Sequence, residues 1–177
     1  MVTLRAMEEA DLGLVGAWLV RPHVARWWTQ DTTAAATLDR FRARVLGDES
    51  RTRMLVIVED HDAVGWCQWY RWEDYPDEAA AMGAHPGEVG IDYAIGEPAC
   101  LGRGVGTATI AALVAEVQRH VPACGVLVDP DAANLASRAV LESNGFSLVE
   151  LRVVATEPGS SPRAIYRLAA GDGTAAR

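Results

Sequence analysis

The chain has 177 residues, half of them hydrophobic, which is enough to bury the core of a single domain. Its formal net charge is −8 and all 16 basic residues are Arg, so a nucleic-acid partner is disfavoured because phosphate binding needs a basic face. No apolar run approaches the roughly 18 residues of a membrane span, and the first residues lack the basic-then-apolar order of a secretory signal. We therefore expect a cytoplasmic globular protein with no nucleic-acid or membrane partner.

The three cysteines are consistent with a cytoplasmic protein, in which thiols stay reduced. Cys67, Cys100 and Cys124 are odd in number, lie in or beside apolar runs and show no metal-ligand spacing. They are most simply reduced core residues, and we expect no metal cofactor.

The first quarter of the chain predicts one strand and two helices. Val2–Met7 alternates apolar and polar residues, as an edge strand does, and residues 8–19 combine an acidic start with apolar residues at helical spacing. A proline then interrupts the pattern, so His23–Trp28 is expected to be a connector. A second helix is predicted over Thr33–Leu46, with Gly47 as its C-terminal cap.

A β-hairpin is predicted next, with strands over Met54–Glu59 and Ala63–Trp72. In the second strand Gln68 shares a face with three aromatic residues, Trp66, Tyr70 and Trp72. Because its amide both donates and accepts hydrogen bonds, Gln68 suits recognition of a hydroxylated amine. A glutamine satisfied within the sheet is an equally good interpretation.

Residues 73–88 contain two prolines and two glycines and show no clear period, so a long loop is predicted. Between Arg71 and Arg103 there is no Lys or Arg, but there are seven acidic residues. As a block, these acids suggest an electrostatic funnel for a cationic substrate. Taken singly, each of them is better explained as a solvated surface charge.

The most informative stretch is Gly90–Thr107, which reads as a buried strand, a turn, and a glycine-rich loop that opens into a helix. Unpaired N–H groups and the helix dipole favour an anion at such a helix N-terminus. Gly104 and Gly106 have no Cβ, so their backbone can approach a bulky anion closely. The stretch is therefore predicted to be a phosphate cradle, although a glycine cluster can also serve only to reverse the chain.

The remainder predicts a helix to His120, a buried parallel strand over Gly125–Val128, and a helix over Asn134–Ser143. Two closing strands follow, over Phe146–Val153 and Ala164–Leu168.

The motifs occur in a recognisable order: LR…EEADL…WL-R-HV-RWW, GWCQWY, GID, LGRGVGT and DP…N…LESNGF. From about residue 2 to 168 the chain resembles the GCN5-related N-acetyltransferases (GNAT), and among them it is similar to the aminoglycoside 6'-N-acetyltransferases. The resemblance implies an α/β (α+β) fold with a mixed, twisted central sheet flanked by helices. It also implies that the sheet is splayed between the parallel strands Gly90–Gly96 and Gly125–Val128, where the pantetheine arm of acetyl-CoA enters. Residues 1–170 would form one acetyltransferase domain, monomeric or homodimeric, with 171–177 as a frayed tail.

The resemblance also implies the site residues. Acetyl-CoA would contact Tyr93, Ala94, Ile95, Arg103, Gly104, Val105, Gly106, Thr107 and Asn134, although a lone Asn is more often a helix cap. The acceptor amine would contact Trp28, Gln68, Asp92 and Asp129. For Asp129 and Asp131, capping the next helix is the serious alternative. The resemblance places the Trp27–Trp28 pair in the substrate-side wall. For Trp27, a hydrophobic staple between two helices is an equally good interpretation.

Asp92 is the predicted catalytic residue. A free alkyl amine is mostly protonated at neutral pH, so a carboxylate beside the thioester can attract it and take its proton. The alternative is a strand carboxylate paired with a neighbouring Arg or backbone group.

Two positions depart from the family pattern. Leu101 stands where the superfamily usually has Arg or Gln, and Leu141 stands where many relatives have a Tyr that protonates the departing thiolate. The first change leaves the backbone cradle intact, and the second leaves the general acid unassigned.

The expected function is acetyl-CoA-dependent acetylation, by direct attack, of a primary amine on a cationic small molecule, with an aminoglycoside 6'-amine and hence antibiotic resistance as the leading case. One alternative keeps the fold but changes the acceptor to a hydroxylysine-type siderophore precursor, a polyamine or a protein amine. Another alternative is a CoA-binding sensor without turnover.

Overall fold

The computed structural model describes residues 1–28, 33–47, 51–153 and 161–170. Within these ranges seven strands form one mixed sheet in the order β1-β2-β3-β4-β5-β7-β6. The strands are β1 Val2–Ala6, β2 Thr52–Glu59, β3 Asp62–Arg71, β4 Val89–Ile95, β5 Val126–Val128, β6 Ser147–Arg152 and β7 Arg163–Leu168. Neighbouring strands are antiparallel except for β4 and β5, which are parallel. The predicted fold class and the edge position of β1 are confirmed.

Helices cover both faces of the sheet. They are α1 Leu12–Leu19, α2 Pro22–Trp28, α3 Ala34–Leu46, α4 Pro76–Met82, α5 Val105–His120 and α6 Leu135–Ser143. As predicted, α3 ends at Gly47, which adopts the left-handed conformation. None of the helices in the described ranges is both long and apolar enough to cross a membrane. The predicted tail, 171–177, lies outside the described residues.

Two segments predicted to lack regular structure are helical. His23–Trp28 belongs to α2, and the predicted loop 73–88 contains a 3₁₀ turn, Trp72–Asp74, and α4. In both helices the proline is the first helical residue, where its missing N–H is not needed. In α4 two acidic residues follow in the first turn and Gly83 ends the helix in the left-handed conformation. The prolines therefore start these helices rather than prevent them.

The side chains of the sheet alternate between two cores. On one face Ile110, Leu113 and Val117 of α5 pack against strand residues such as Ile91 and Val126. On the other face α1 and α3 pack their apolar residues on Trp66 and Val56, with Trp18, Leu19 and Phe41 fully or almost fully buried. Strand β5 is also covered on both faces, by α5 on the side of Val126 and Val128 and by Trp72 and Ile165 on the side of Leu127, which explains its continuous apolar run.

The sheet opens between β4 and β5. Only Val89 and Gly90 of β4 pair with β5, so beyond Gly90 no described strand pairs with that edge of β4. Gly90 must lack a side chain, because a Cβ there would lie 2.4 Å from the Tyr70 ring. β5 ends at Val128, and the Asp129-Pro130 turn leads the chain away. The predicted splay is confirmed, and it exposes the backbone of residues 91–95 to a cleft.

Candidate active site

The glycine-rich loop forms the predicted helix N-terminus. α5 begins at Val105, with Gly104 as its N-cap at φ +81° and Gly102 at φ +69°. These left-handed conformations favour glycine, and an added Cβ at either position would meet nothing within 4 Å. The first turn of α5 therefore presents N–H groups to an open space that can hold a bulky anion.

A cavity of about 480 Å³ runs from this loop along the open edge of β4. Its wall contains Tyr93, Ala94, Ile95, Gly102, Gly104, Gly106, Thr107, Asn134, Ser137, Val140, Trp27 and Trp28. We call it the cofactor cavity. Its shape suits a ligand with an anionic group at the glycines and a thin arm along β4.

A second cavity of about 420 Å³ lies at the carboxyl end of β5. We call it the acceptor cavity. Among the described residues its wall includes three carboxylates, Asp92, Asp129 and Asp131, and two guanidinium groups, Arg40 and Arg163. Trp27, Trp28, Tyr93, Asn134 and Ser137 line both cavities, so the two spaces adjoin.

Asp92 lies in the wall of the acceptor cavity, directly opposite Gln68 in the pairing of β3 with β4. Its Oδ2 accepts a hydrogen bond from Gln68 Nε2 at 2.6 Å, and Gln68 Oε1 accepts one from Arg44 Nη1 at 2.9 Å. Burial raises the pKa of Asp92 to about 6, against the opposing effect of the Gln68 hydrogen bond. Asp92 is therefore mostly ionised at neutral pH, yet basic enough to accept a proton.

The other two carboxylates have partners. Asp129 Oδ2 accepts from Arg163 Nε at 3.1 Å and lies 3.0 Å from Arg163 Nη2. Burial raises the pKa of Asp129, and the Arg163 charge opposes that rise. Asp131 accepts from the backbone N–H of Ala133 at 2.8 Å and from the Ser161 hydroxyl. Asp131 thus holds the turn before α6, but it is not the N-cap of that helix, so the capping alternative for Asp129 and Asp131 is wrong.

Asn134 and Tyr93 line both cavities at their junction. Asn134 is the N-cap of α6, with Oδ1 accepting from Ser137 N at 3.2 Å, so its capping interpretation is confirmed. Tyr93 donates to Ser137 Oγ at 3.4 Å, and burial raises the pKa of its phenol. Tyr93 is therefore a neutral hydroxyl at physiological pH. Within the described ranges, no group of three or more His, Cys, Asp or Glu side chains could hold a metal ion.

Most of the predicted site residues lie around these two cavities, and three do not line either of them. Gln68 lies behind Asp92 and is 4 % exposed, with both ends of its amide bonded within the protein. The Val105 side chain is buried in the core, while Arg103 is exposed beside Glu59 at 3.6 Å. Trp28 packs edge-on against Trp66, with ring centroids 4.4 Å apart, and contributes to both walls.

Of the seven acidic residues of the block, Asp92 lines the acceptor cavity, and the electrostatic funnel stays a prediction. The described residues that line this cavity do not include Glu73, Asp74, Asp77 or Glu78. Two other members of the block are held in ion pairs, Glu88 with Arg167 and Glu97 with Arg21. Among the described lining residues, the negative charge beside Asp92 comes from Asp129 and Asp131, which follow β5.

Several lining residues were not predicted from the sequence. Arg163, Arg40 and Ser137 carry no motif that marks them, and His23 lies in the quoted motif WL-R-HV-RWW without having been predicted as a site residue. His23 contacts the Ile95 carbonyl at 3.1 Å and so reaches the end of β4. The two departures from the family pattern lie in different places: Leu101 lines the cofactor cavity, whereas Leu141 is fully buried in the core.

A side chain at Gly104 should weaken binding of coenzyme A more than it weakens folding. We expect Gly104→Ala to reduce the affinity for CoA at least tenfold, equivalent to about 1.4 kcal/mol, by obstructing the loop. Gly87→Ala is the matched control, because Gly87 also has φ +81° and open space around it but lies outside both cavities. Calorimetric titration measures affinity and thermal unfolding measures strain. Equal CoA affinities in the two folded variants would refute the cradle.

Asp92→Asn should stabilise the protein at neutral pH. Below about pH 4 Asp92 is neutral in both the folded and the unfolded state, so it adds no penalty. The pKa of Asp92 is about 6 in the folded state, so between about pH 4 and pH 6 the folded protein keeps this carboxyl protonated while the unfolded chain has lost the proton. The free energy of unfolding therefore falls as the pH rises through this window. Above pH 7 the ionised Asp92 lowers the free energy of unfolding by on the order of 2–3 kcal/mol, and Asn removes this loss. Urea unfolding of both proteins at pH 4 and 7.5 measures it, and a variant no more stable than wild type at pH 7.5 would contradict it.

A mixed sheet that opens between two parallel strands, beside a glycine-rich helix N-terminus, defines the class of acyltransferases that act on coenzyme A thioesters. Comparison with known families agrees: residues 7–154 match the acetyltransferase (GNAT) domain, and the chain belongs to this family. Acetyl transfer to nitrogen is therefore its reaction class.

Individual proteins to which the chain is similar include acetyltransferases and acyltransferases with named acceptors. The chain is 30% identical over 156 residues to an aminoglycoside N(6')-acetyltransferase type 1 from Klebsiella pneumoniae, covering 82% of this chain and 73% of that one. It is 27% identical over 143 residues to the lysine N-acyltransferase MbtK from Mycobacterium tuberculosis (strain CDC 1551 / Oshkosh), covering 80% and 67%. The crystal structure of aminoglycoside acetyltransferase AAC(6')-Ib with coenzyme A and kanamycin superposes with a TM-score of 0.75 at 26% identity, over 96% of this chain and 95% of that one.

Proposed function

We propose that this protein transfers the acetyl group of acetyl-CoA directly to a primary amine of a cationic small molecule, with an aminoglycoside 6'-amine as the leading acceptor. The observation that carries this proposal is the position of Asp92 in an acidic cavity that adjoins the cofactor cavity. The relatives with aminoglycoside acetyltransferase names support the choice of acceptor.

Acetyl-CoA supplies an activated acyl group as a thioester. The N–H groups at the start of α5 would hold its pyrophosphate, where Gly104 leaves the space open. The open edge of β4 would bind the pantetheine arm, with Asn134 and Ser137 on the opposite wall. These contacts direct the thioester toward the junction of the two cavities.

Asp92 performs the proton transfer. An alkylammonium with a pKa of about 10.4 does not lose its proton readily to a carboxylate with a pKa of about 6, so Asp92 first attracts and orients the cation. The ammonium has no lone pair, so only the small fraction that has lost its proton to water attacks the thioester carbonyl. As the new N–C bond forms, the nitrogen becomes positively charged and far more acidic. Asp92 can then accept its proton directly or through water.

The thiolate leaves as the C–S bond breaks. A thiol pKa of about 8.5 makes thiolate a fair leaving group without a general acid. Leu141 cannot protonate it, because its side chain is apolar and lies in the core. Direct transfer also requires no cysteine nucleophile, and the Cys67 thiol has a pKa raised far above neutrality by burial.

The wall of the acceptor cavity favours a cationic acceptor with an apolar or sugar face. Three carboxylates outnumber two guanidinium groups there, and the Trp27 and Trp28 rings offer flat surfaces for a sugar ring or a cation. Arg163 already neutralises part of the charge of Asp129. Asp92 is thus the carboxylate that is left to receive an amine.

A second acceptor class is supported by Arg40. Its guanidinium group lines the acceptor cavity and could bind the carboxylate of a lysine-type acceptor. The similarity to a lysine N-acyltransferase supports this alternative. A polyamine would use the acidic residues but not Arg40.

A thiol-release assay with acetyl-CoA tests the proposal and separates these acceptors. The panel comprises an aminoglycoside with a 6'-amine, a linear polyamine, lysine and its N⁶-hydroxylated derivative. We expect the highest kcat/KM for the aminoglycoside. A preference for the lysine derivatives that Arg40→Gln abolishes would select the second class, and the absence of thiol release with every amine would refute N-acetylation of these acceptors.

A further inference from the structure

The Gln68 side chain connects α3 to the catalytic strand. Its Oε1 accepts from Arg44 Nη1 at 2.9 Å, and its Nε2 donates to Asp92 Oδ2 at 2.6 Å. Gln68 is 4 % exposed, so water contributes little to the orientation of its amide. Arg44, Gln68 and Asp92 therefore form one chain of hydrogen bonds, which we call the relay.

The orientation of the amide matters because its two ends have opposite hydrogen-bonding properties. Rotation by 180° exchanges the carbonyl oxygen with the NH₂ group at almost no cost in shape. An ionised carboxylate can only accept, so the NH₂ end suits Asp92 and the oxygen end would repel it. Arg44 can only donate, and by engaging Oε1 it selects the orientation that directs NH₂ to Asp92.

Arg44 does not line the acceptor cavity or the cofactor cavity. It lies in the last turn of α3 and lines a separate cavity on the side of Ala6, Met7 and Trp69. Gln68 lies directly opposite Asp92 in the β3–β4 register, where cross-strand side chains share a face. Arg44 can therefore influence the reaction through the relay or as a charge at a distance.

We propose that Arg44 is a positioning residue that acts through Gln68, holding its amide as a donor to Asp92 Oδ2 so that Oδ1 is left for the acceptor amine. The inference rests on the proposed function of Asp92 as the base. Gln68 accordingly positions the base instead of contacting the substrate.

The groups around Asp92 determine what loss of Arg44 would do. Arg44 faces it from α3, Gln68 from β3, Asp129 from the end of β5 and Arg163 from β7. Arg40 lines the same cavity, and the Tyr70 ring lies nearby on β3. Removing Arg44 takes away a positive charge and lets the amide turn its oxygen toward Asp92. Both effects raise the pKa of Asp92 from its value of about 6.

The test uses Arg44→Met with Arg42→Met as the matched control. Arg42 lies on the same helix but pairs with Glu9 at the surface, at 3.0 Å. The pKa of Asp92 is measured by carboxyl ¹³C NMR titration, and the acid limb of kcat/KM by acetyl transfer. We expect both to move upward by more than about half a unit in Arg44→Met and to stay in place in Arg42→Met. KM for acetyl-CoA should not change, because Arg44 lies outside the cofactor cavity.

A double-mutant cycle separates the relay from a bare charge effect. In a Gln68→Met background, Arg44→Met should move the pKa of Asp92 by less than half as much as it does with Gln68 present. If Arg44→Met does not fold, Arg44→Lys takes its place, because the shorter cation keeps the charge and weakens the orientation. An equal shift in both backgrounds, or no shift in folded Arg44→Met, would overturn the inference.

The relay and the proposed acetyltransferase function can be refuted independently of each other. A coupled shift in a protein that acetylates no amine supports the relay and contradicts the proposed function. Efficient acetylation with an unmoved Asp92 titration supports the function and overturns the relay.

Discussion

Asp92→Asn is expected to reduce turnover by roughly 10²–10⁴-fold, the usual contribution of general acid–base catalysis, without changing the affinity for acetyl-CoA. Asparagine keeps the shape of the side chain and can still accept from Gln68 Nε2. It can neither take the proton nor attract an ammonium group. Asp92 lines the acceptor cavity and not the cofactor cavity, which is why cofactor binding should be unaffected.

The measurement is acetyl transfer over pH 5–9 together with calorimetric titration of acetyl-CoA. In wild type kcat/KM should rise with pH as Asp92 ionises near 6, and this limb should disappear in Asp92→Asn. Asp77→Asn is the control, since it removes a carboxylate on α4 outside both cavities. Activity within about threefold of wild type, less than 1 kcal/mol, would remove Asp92 from the mechanism.

Asp129→Asn should raise KM for a polycationic acceptor by about 10–100-fold, or 1.4–2.8 kcal/mol. The substitution removes one carboxylate and leaves the Arg163 charge facing the cavity without its ion-pair partner. An acceptor with several amines should be affected more than a monoamine, because each positive charge experiences the altered field.

The compensating variant is the double substitution Asp129→Asn with Arg163→Gln. It restores the balance between carboxylates and guanidinium groups in the wall and should recover most of the lost affinity. The steady-state KM of each variant is measured at low and high salt, together with its unfolding midpoint. An unchanged KM in a folded Asp129→Asn would show that this carboxylate does not act on the acceptor.

Local signals predicted the elements that surround the candidate site. The glycine loop that begins α5 and the parallel strand after it follow from glycine conformations and a continuous apolar run, both of which depend on near neighbours in sequence. Asp92 was chosen because its strand leads directly into the loop and because the family resemblance, through the GID motif, implies a base there. The Asn134 cap was likewise available from the chain on either side of it.

Contacts between distant segments were not predictable in the same way. The pairing of Asp129 with Arg163 joins residues 34 positions apart across the β5–β7 register. Alternation along β3 placed Gln68 on a definite face, but only the register with β4 brings it opposite Asp92. The helix α4 was missed because its proline is a helix start and not a break. The acidic residues of this helix, Asp77 and Glu78, do not line the acceptor cavity.

The most direct test of the account is the mass of an amine acceptor after incubation with acetyl-CoA and the enzyme. The acceptor is a 6'-amino aminoglycoside, and an analogue with a hydroxyl in place of that amine is the control. We predict one acetyl group on the amine with wild type, none on the hydroxyl analogue, and almost none on either with Asp92→Asn. An unmodified amine in the presence of wild-type protein that binds acetyl-CoA would contradict the account.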